Sequence, residues 1–235
     1  MSFDGMETGA LRLPILYGLT DPRGVRGLTP ADATELLLSA GVRLIQIRDK
    51  SFDVRRRLAG ALEAVALVKA AGGTAIINDR CDLALLSEAD GVHLGEDDLS
   101  ADEARRVLGP SALVGISTHS VESAWKAMDG DGLSAAARNS SDLAVSYVAL
   151  GPIRATGSKS TPFPALGLAA VEQAARRKTR PLVVIGGLTP ALVGDCLAAG
   201  ADSVAMIAGL LDGDPVANVS EARESARRAG FGERF

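Results

Sequence analysis

Polar and apolar residues alternate through one short segment, IQIRDK at residues 45–50. In a β-strand this alternation places Gln46, Arg48 and Lys50 on one face and both isoleucines on the other, packed on helices. Two cations that converge on a cavity suit a polyanion, most simply a phosphate or a diphosphate. We therefore expect an anion site here. The alternative is a solvated run of charge at the end of a strand.

Carboxylates follow two later apolar segments. Asp79 ends the sequence IIND, and Asp97 and Asp98 follow the sequence HLGE. Mg²⁺ takes one or two protein carboxylates and completes its shell with water and substrate phosphate. Carboxylates beside a phosphate site would repel the phosphate without such a cation. We expect a magnesium site here, and the alternative for each aspartate is a position at the start of a helix.

Hydroxyl, imidazole and glycine residues follow other apolar segments. Ser117 can donate a hydrogen bond to a phosphate oxygen, and His119 is a candidate acid or base, or a residue at a helix start. We expect His93 to be a structural histidine with satisfied hydrogen bonds. Gly187 and residues 207–209 follow the last two segments, where the backbone N–H groups of a barrel often bind phosphate.

These residues need a scaffold that brings strand ends together, and the chain alternates apolar runs with helical spacing. The predicted strands are Ile15–Leu19, Arg43–Arg48, Thr74–Asn78, Gly91–Leu94, Ala112–Ser117, Ser146–Leu150, Leu182–Ile185 and Ser203–Ile207. The predicted helices are Pro30–Ala40, Asp53–Ala71, Cys81–Ser87, Ala101–Leu108, Val121–Met128, Leu168–Arg177, Pro190–Ala199 and Pro215–Ala229. Nearly continuous apolar strands indicate a parallel sheet covered on both faces.

Eight such units in 235 residues predict an α/β fold, a single-domain (β/α)8 TIM barrel over residues 13–230. An open doubly wound sheet is the alternative, but no GxGxxG follows the first strand. We expect residues 1–12 to be a disordered tail. Residues 129–142 form a polar insertion on the bottom face, and residues 151–166 a long loop on the catalytic face.

The composition restricts the partners. Lys plus Arg number 25 and Asp plus Glu 29, a net charge of −4, which disfavours a nucleic-acid binder. No apolar run reaches the roughly 18 residues of a membrane span, and the N-terminus lacks a signal-peptide pattern. Cys81 and Cys196 are too few for a disulfide framework. We expect a cytoplasmic protein with small-molecule partners, and a homo-oligomer is left open.

The chain resembles bacterial thiamine-phosphate synthases, which are (β/α)8 enzymes. The matching motifs run in order from the second strand to the eighth: QIRDK at 46–50, IIND at 76–79, GVHLGEDD at 91–98, GIS at 115–117, GPIRATGSK at 151–159, IGG at 185–187 and GADSVAMI at 200–207. The resemblance implies Mg²⁺-dependent coupling of an aminopyrimidine-methyl diphosphate to a thiazole phosphate. The products would be thiamine monophosphate and pyrophosphate.

The resemblance also implies roles for the matching residues. The residues expected to hold the pyrimidine diphosphate are Gln46, Ile47, Arg48, Asp49, Lys50, Asn78, Ser117 and Lys159. Those expected at the thiazole phosphate are Thr156, Gly157, Ser158, Gly187, Ile207 and Ala208. Arg48, Ser117 and Lys159 would be catalytic, and Asp79 and Asp98 would hold Mg²⁺.

Three departures from the family pattern concern these residues. Ser158 stands where the family usually has Thr, and Ala208 where it often has Ser. The run Gly95-Glu96-Asp97-Asp98 replaces a Gly-Gln-Glu-Asp type run, which adds a carboxylate near the metal site and leaves the choice between Asp97 and Asp98 open. Two rival functions share the scaffold. One is a thiazole tautomerase that uses a histidine at or near His119 for proton transfer. The other is a non-catalytic binding or regulatory barrel that holds a phosphorylated thiazole or thiamine phosphate.

Overall fold

Eight parallel strands pair in sequential order and close into a barrel, because β8 also pairs with β1. This computed structural model describes residues 11–21, 27–51, 53–129, 145–156 and 162–232. The strands are β1 Leu16–Thr20, β2 Leu44–Ile47, β3 Thr74–Asn78, β4 Gly91–Leu94, β5 Leu113–Thr118, β6 Tyr147–Leu150, β7 Leu182–Ile185 and β8 Ser203–Met206. The predicted (β/α)8 barrel is confirmed.

Helices cover the outside of the barrel. In the described part of the chain they are α1 Pro30–Ser39, α2 Val54–Ala70, α3 Cys81–Leu86, α4 Ala101–Leu108, α5 Val121–Asp129, α6 Leu168–Ala175, α7 Val193–Ala198, α8 Ala208–Leu211 and α9 Pro215–Arg228. Local sequence explains several starts. Thr29 and Ser100 each form a capping box with an acidic residue three positions later, which satisfies backbone N–H groups of the first helical turn.

Two apolar layers lie on opposite sides of the barrel wall. The inner layer fills the barrel and includes Tyr17, Leu44, Ile76 and Tyr147. The outer layer, between strands and helices, is larger and includes Ile45 and Ile47, whose side chains alternate with those of the inner layer. The strands are thus buried on both faces, and residues beyond their carboxyl ends are left to form a site.

Apart from shifts of one or two residues at element ends, the structure differs from the predicted elements in two places. The predicted helix Pro190–Ala199 is a 3₁₀ turn at Pro190–Leu192 followed by α7. At this junction the Gly194 N–H, in the first turn of α7, donates to Ser225 Oγ of α9 (2.9 Å), which satisfies a group that has no partner within its own helix. The four-residue helix α8, directly after β8, was not predicted.

Two of the three predicted irregular segments fall largely outside the described residues. This applies to residues 1–10 of the predicted tail and to residues 130–142 of the predicted insertion. Leu11, which lies within the predicted tail, packs against the inner layer.

Candidate active site

A cavity of about 490 Å³ lies at the carboxyl ends of the strands. It is lined by residues from the strands and from the loops that follow them, as in other barrels of this kind. The predicted site residues in its lining are Gln46, Arg48, Asn78, Ser117, Thr156, Gly187, Ile207 and Ala208. Both histidines of the chain, His93 and His119, also line it.

The cationic side of the cavity is built around Arg48, which lies one residue beyond the end of β2. Its N–H donates to Thr20 Oγ1 (3.0 Å) and its guanidinium contacts the carboxylate of Asp21. Both residues are buried, with exposures of 6% for Arg48 and 1% for Asp21. Burial lowers the pKa of Arg48, and the nearby charge of Asp79 opposes that shift. The guanidinium is therefore a fixed charge at the cavity wall.

Asp21 is a site residue that the sequence analysis missed. The signal was available, since Asp21 directly follows β1 and polar residues at the carboxyl end of a barrel strand are candidates for function.

Asp79 and Asp98 lie together beside this wall, as the sequence analysis expected. The Lys50 Nζ contacts Asp79 Oδ2, and Asp98 Oδ2 accepts a hydrogen bond from the Gly95 N–H (2.7 Å). Partial burial raises the pKa of Asp98, and the neighbouring Asp79 carboxyl adds to that rise. A carboxyl group whose pKa is raised beside a second carboxyl forms with it a site that a divalent cation stabilises.

Neither aspartate caps a helix. Helix α3 is preceded by Arg80, which makes no side-chain cap, and α4 is capped by Ser100. Asp79 has a left-handed backbone (φ 65°), and its N–H donates to the His93 carbonyl (2.8 Å). A strained non-glycine residue of this kind is typical of functional sites. The alternative role as helix starts is therefore wrong for Asp79 and Asp98.

The remaining residues of the QIRDK motif do not line the cavity. The side chain of Ile47 packs in the outer layer, so its predicted substrate contact is wrong for the side chain, because strand alternation turns it toward the helices. Asp49 Oδ1 accepts from the Ser51 N–H (2.8 Å). Lys50 reaches the site through Asp79 and is not part of the cavity lining. Gly157, Ser158 and Lys159 lie outside the described residues.

The opposite side of the cavity is formed by backbone from the loops after β6, β7 and β8. The Arg154 N–H donates to the Gly186 carbonyl (3.0 Å), which joins the first two of these loops. Gly187 has φ +63°, and a Cβ there would meet the backbone of Arg154 at under 3 Å. Only glycine fits this close approach. Thr156 and Gly187 both line this wall of the cavity.

The family model described as thiamine monophosphate synthase matches residues 16–210. The chain belongs to this family. It is 41% identical to the thiamine-phosphate synthase of Methanoculleus marisnigri over 210 residues, covering 89% of this chain and 93% of the relative. It is 37% identical to that of Methanocella arvoryzae over 201 residues, covering 86% and 89%.

A solved structure, thiamine phosphate pyrophosphorylase from Pyrococcus furiosus, shares the fold. It has a TM-score of 0.76 and 24% sequence identity, with 91% of this chain and 96% of that chain covered. Membership of the thiamine monophosphate synthase family makes this chain an enzyme with transferase activity on small molecules. No described helix is long and apolar enough to cross a membrane.

His119 has a defined environment in this family member. Its Nδ1 lies 2.7 Å from the Gly151 carbonyl, and its ring stacks on Phe163 with centroids 3.8 Å apart. A carbonyl only accepts hydrogen bonds, so Nδ1 carries the proton, and Nε2 of the neutral ring is an acceptor. His119 therefore connects β5 with the loop after β6. Its Nε2 keeps the lone pair that proton transfer in a tautomerase would use.

His93 is hydrogen-bonded at both ring nitrogens, as predicted for a structural histidine. Nδ1 lies 3.1 Å from Tyr147 Oη, and Nε2 lies 3.0 Å from Ser117 Oγ. His93 also lines the cavity, and it contacts the hydroxyl of Ser117, a predicted catalytic residue.

Proposed function

We propose that this chain is a thiamine-phosphate synthase. It would couple an aminopyrimidine-methyl diphosphate to a carboxythiazole or hydroxyethylthiazole phosphate, giving thiamine monophosphate and pyrophosphate in thiamine diphosphate biosynthesis. The observation that carries the proposal is one cavity with two unlike anion-binding walls. Arg48 lines one side, with the Asp79–Asp98 pair beside it, and the backbone around Gly187 and Ala208 lines the other.

The cationic wall suits a diphosphate leaving group. The bond between the pyrimidine methylene carbon and the diphosphate oxygen breaks, and its electron pair leaves on the diphosphate. Arg48 is a buried, preorganised charge, which stabilises growing negative charge more than a solvated one does. Lys50 lies beside Asp79 and can add a second charge, and we assign the same task to Lys159.

The residues that would hold the metal are Asp79 and Asp98. Among the described residues no three metal-binding side chains cluster, and this fits Mg²⁺, which needs only one or two carboxylates. When bound, Mg²⁺ would supply charge stabilisation to the diphosphate. Asp97 is exposed, whereas Asp98 is partly buried and held by the Gly95 N–H, so we assign the metal to Asp98.

The glycine-rich wall suits the thiazole phosphate. Helix α8 begins directly after Ile207, and the first N–H groups of a helix have no partner within it. Gly187 and Ala208 both line the cavity. Ala208 has no side-chain hydroxyl, so its backbone N–H is the group that it offers to the phosphate. With the phosphate here, the thiazole nitrogen lone pair can form the new C–N bond with the pyrimidine carbocation. No protein nucleophile is needed.

The direct test mixes both phosphorylated substrates with the purified chain, with and without Mg²⁺, and measures inorganic pyrophosphate together with thiamine monophosphate. We expect equal amounts of the two products, and only with the metal present. No product from either thiazole phosphate at any Mg²⁺ concentration would reject the proposal. The cytoplasmic location stays a prediction, and the homo-oligomer stays open.

Lys159→Ala should slow product formation on the order of a hundredfold or more, as for the loss of an electrostatic stabiliser. Single-turnover pyrophosphate release measures this step directly. Lys126→Ala is the matched control, because Lys126 is exposed on α5. This substitution changes the net charge by the same amount. A Lys159→Ala rate within a factor of about two of that control would remove Lys159 from the catalytic residues.

His119→Asn separates coupling from tautomerisation. The asparagine amide can still donate to the Gly151 carbonyl, so coupling should fall by no more than about fivefold, the scale of one neutral hydrogen bond. A tautomerase would lose its proton-transfer group and slow by about 10²–10⁴-fold. Both reactions are measured on each protein. Tautomerisation that His119→Asn abolishes, with no coupling in the wild type, would favour the rival function.

A further inference from the structure

Five side chains form a continuous hydrogen-bonded chain beneath the cavity. Gln46 Nε2 lies 3.0 Å from Tyr17 Oη, which lies 2.9 Å from Tyr147 Oη. Tyr147 Oη lies 3.1 Å from His93 Nδ1, and His93 Nε2 lies 3.0 Å from Ser117 Oγ. We call this set the interior chain. Its two ends, Gln46 and Ser117, are residues that the family resemblance implies at the pyrimidine diphosphate.

The barrel leaves room for the interior chain at one position in particular. Gly115 pairs with His93 on one side and with Tyr147 on the other. A Cβ at Gly115 would overlap the ring of Tyr147. Glycine thus allows the Tyr147 ring to stack against His93, with centroids 5.6 Å apart and planes at 25°.

The two tyrosines stay protonated. Burial raises the pKa of both Tyr17 and Tyr147 above the usual range of a phenol. A neutral phenol has one proton to donate, and a neutral imidazole has one donor nitrogen and one acceptor nitrogen. Each central member therefore donates at one side and accepts at the other, so the whole interior chain must point in a single direction.

A bound diphosphate fixes that direction. Its oxygens only accept, so Ser117 must donate its proton to them, and Ser117 Oγ then accepts from His93 Nε2. His93 Nδ1 in turn accepts from Tyr147, and Tyr147 accepts from Tyr17. Tyr17 Oη then accepts from Gln46 Nε2, which matches the observed amide orientation. The carbonyl oxygen of Gln46 can then accept a hydrogen bond from a donor in the cavity.

We propose that Tyr17, Tyr147 and His93 are positioning residues that couple Ser117 to Gln46. Diphosphate binding at Ser117 would select a pyrimidine ring that donates a hydrogen bond to Gln46, which an amino group does. An analogue with an oxo group in place of the amino group presents an acceptor instead. To donate to it, Gln46 would turn its amide, the interior chain would reverse, and Ser117 would lose its donor to the diphosphate. This inference rests on the proposed function.

Tyr147→Phe tests the coupling, because it removes the central hydroxyl and keeps the buried ring. The two ends could then orient independently. We measure the Ki of the oxo analogue of the aminopyrimidine diphosphate against the KM of the amino substrate. The preference for the amino ring should fall by at least about tenfold, the scale of a lost hydrogen bond. A purely structural role would weaken both ligands alike and leave the ratio unchanged, which would overturn the inference.

Thr118→Val is the matched control. It also deletes a buried hydroxyl, but Thr118 Oγ1 donates to the Ala149 carbonyl (3.1 Å) and not to the interior chain. We expect it to keep the wild-type preference. If Tyr147→Phe fails to fold, Tyr17→Phe cuts the next link and should give the same loss. His93→Gln retains one donor and one acceptor and should keep more of the preference than His93→Leu.

The two proposals fail in different ways. If the wild type releases no pyrophosphate from the amino substrate, the proposed function is wrong and the coupling has no substrate to select. If the wild type is active and prefers the amino ring, but both tyrosine variants keep that preference in full, only the interior chain has been misread.

Discussion

Asp79→Asn should lower Mg²⁺-dependent product formation by about a thousandfold or more, since a bound metal contributes several kcal/mol of charge stabilisation and about 1.4 kcal/mol is a tenfold change in rate. The substitution keeps the size of the side chain and removes one of two carboxylates. Asparagine also tolerates the left-handed backbone at this position (φ 65°). The barrel should therefore keep its melting temperature to within about 2 °C.

A second measurement does not depend on turnover. A cation that binds only the folded chain raises its melting temperature, so Mg²⁺ should stabilise the wild type and have no effect on Asp79→Asn. Asp97→Asn is the matched control, because Asp97 is exposed one residue from Asp98 and undergoes the same chemical change. It should behave like the wild type. An unchanged Mg²⁺ titration in Asp79→Asn, by rate and by melting, would contradict the metal assignment.

The barrel itself was predictable because buried parallel strands have a clear sequence pattern. Thr74–Asn78, Gly91–Leu94 and Leu182–Ile185 have the same bounds in the prediction and in the structure. Each is a short, nearly continuous apolar run covered on both faces. Helix α8 was not predicted because its four residues are too few for a 3.6-residue period to be detected.

Alternation predicted part of the cationic wall and then failed for a local reason. Gln46 and Arg48 line the cavity as expected, but β2 ends at Ile47. The period of two applies within a strand, so it does not govern Lys50, which turns to Asp79 instead. Applied to Ile47, the same rule correctly predicted a side chain that packs among the helices. That position conflicts with the substrate contact that the family resemblance implied for this side chain.

The interior chain could not be predicted from the sequence. Tyr17 and Tyr147 are 130 residues apart, and alternation indicates only that each side chain faces inward. Which inward residues meet depends on the stagger of the closed barrel. One signal was present, since the chain has only two tyrosines and both lie within strands.

Arg48→Met should be damaging in two separable ways. The Arg48–Asp21 pair is buried, with side-chain exposures of 7% and 0%, and removing one partner of such a pair typically costs about 3–5 kcal/mol. In a chain of this length that lowers the melting temperature by roughly 10 °C. Product formation should also fall by about a hundredfold or more, because a preorganised charge at the leaving group is lost.

The double variant Arg48→Met with Asp21→Asn separates the two effects. Neutralising Asp21 removes the buried charge, so most of the melting temperature should return while the rate stays low. Arg177→Met is the control for the substitution itself, because Arg177 pairs with Asp129 at 3.1 Å with side chains 59% and 39% exposed, and such pairs contribute about 0–1 kcal/mol. If the double variant regained wild-type turnover, Arg48 would serve only to neutralise Asp21. The diphosphate would then need another cation.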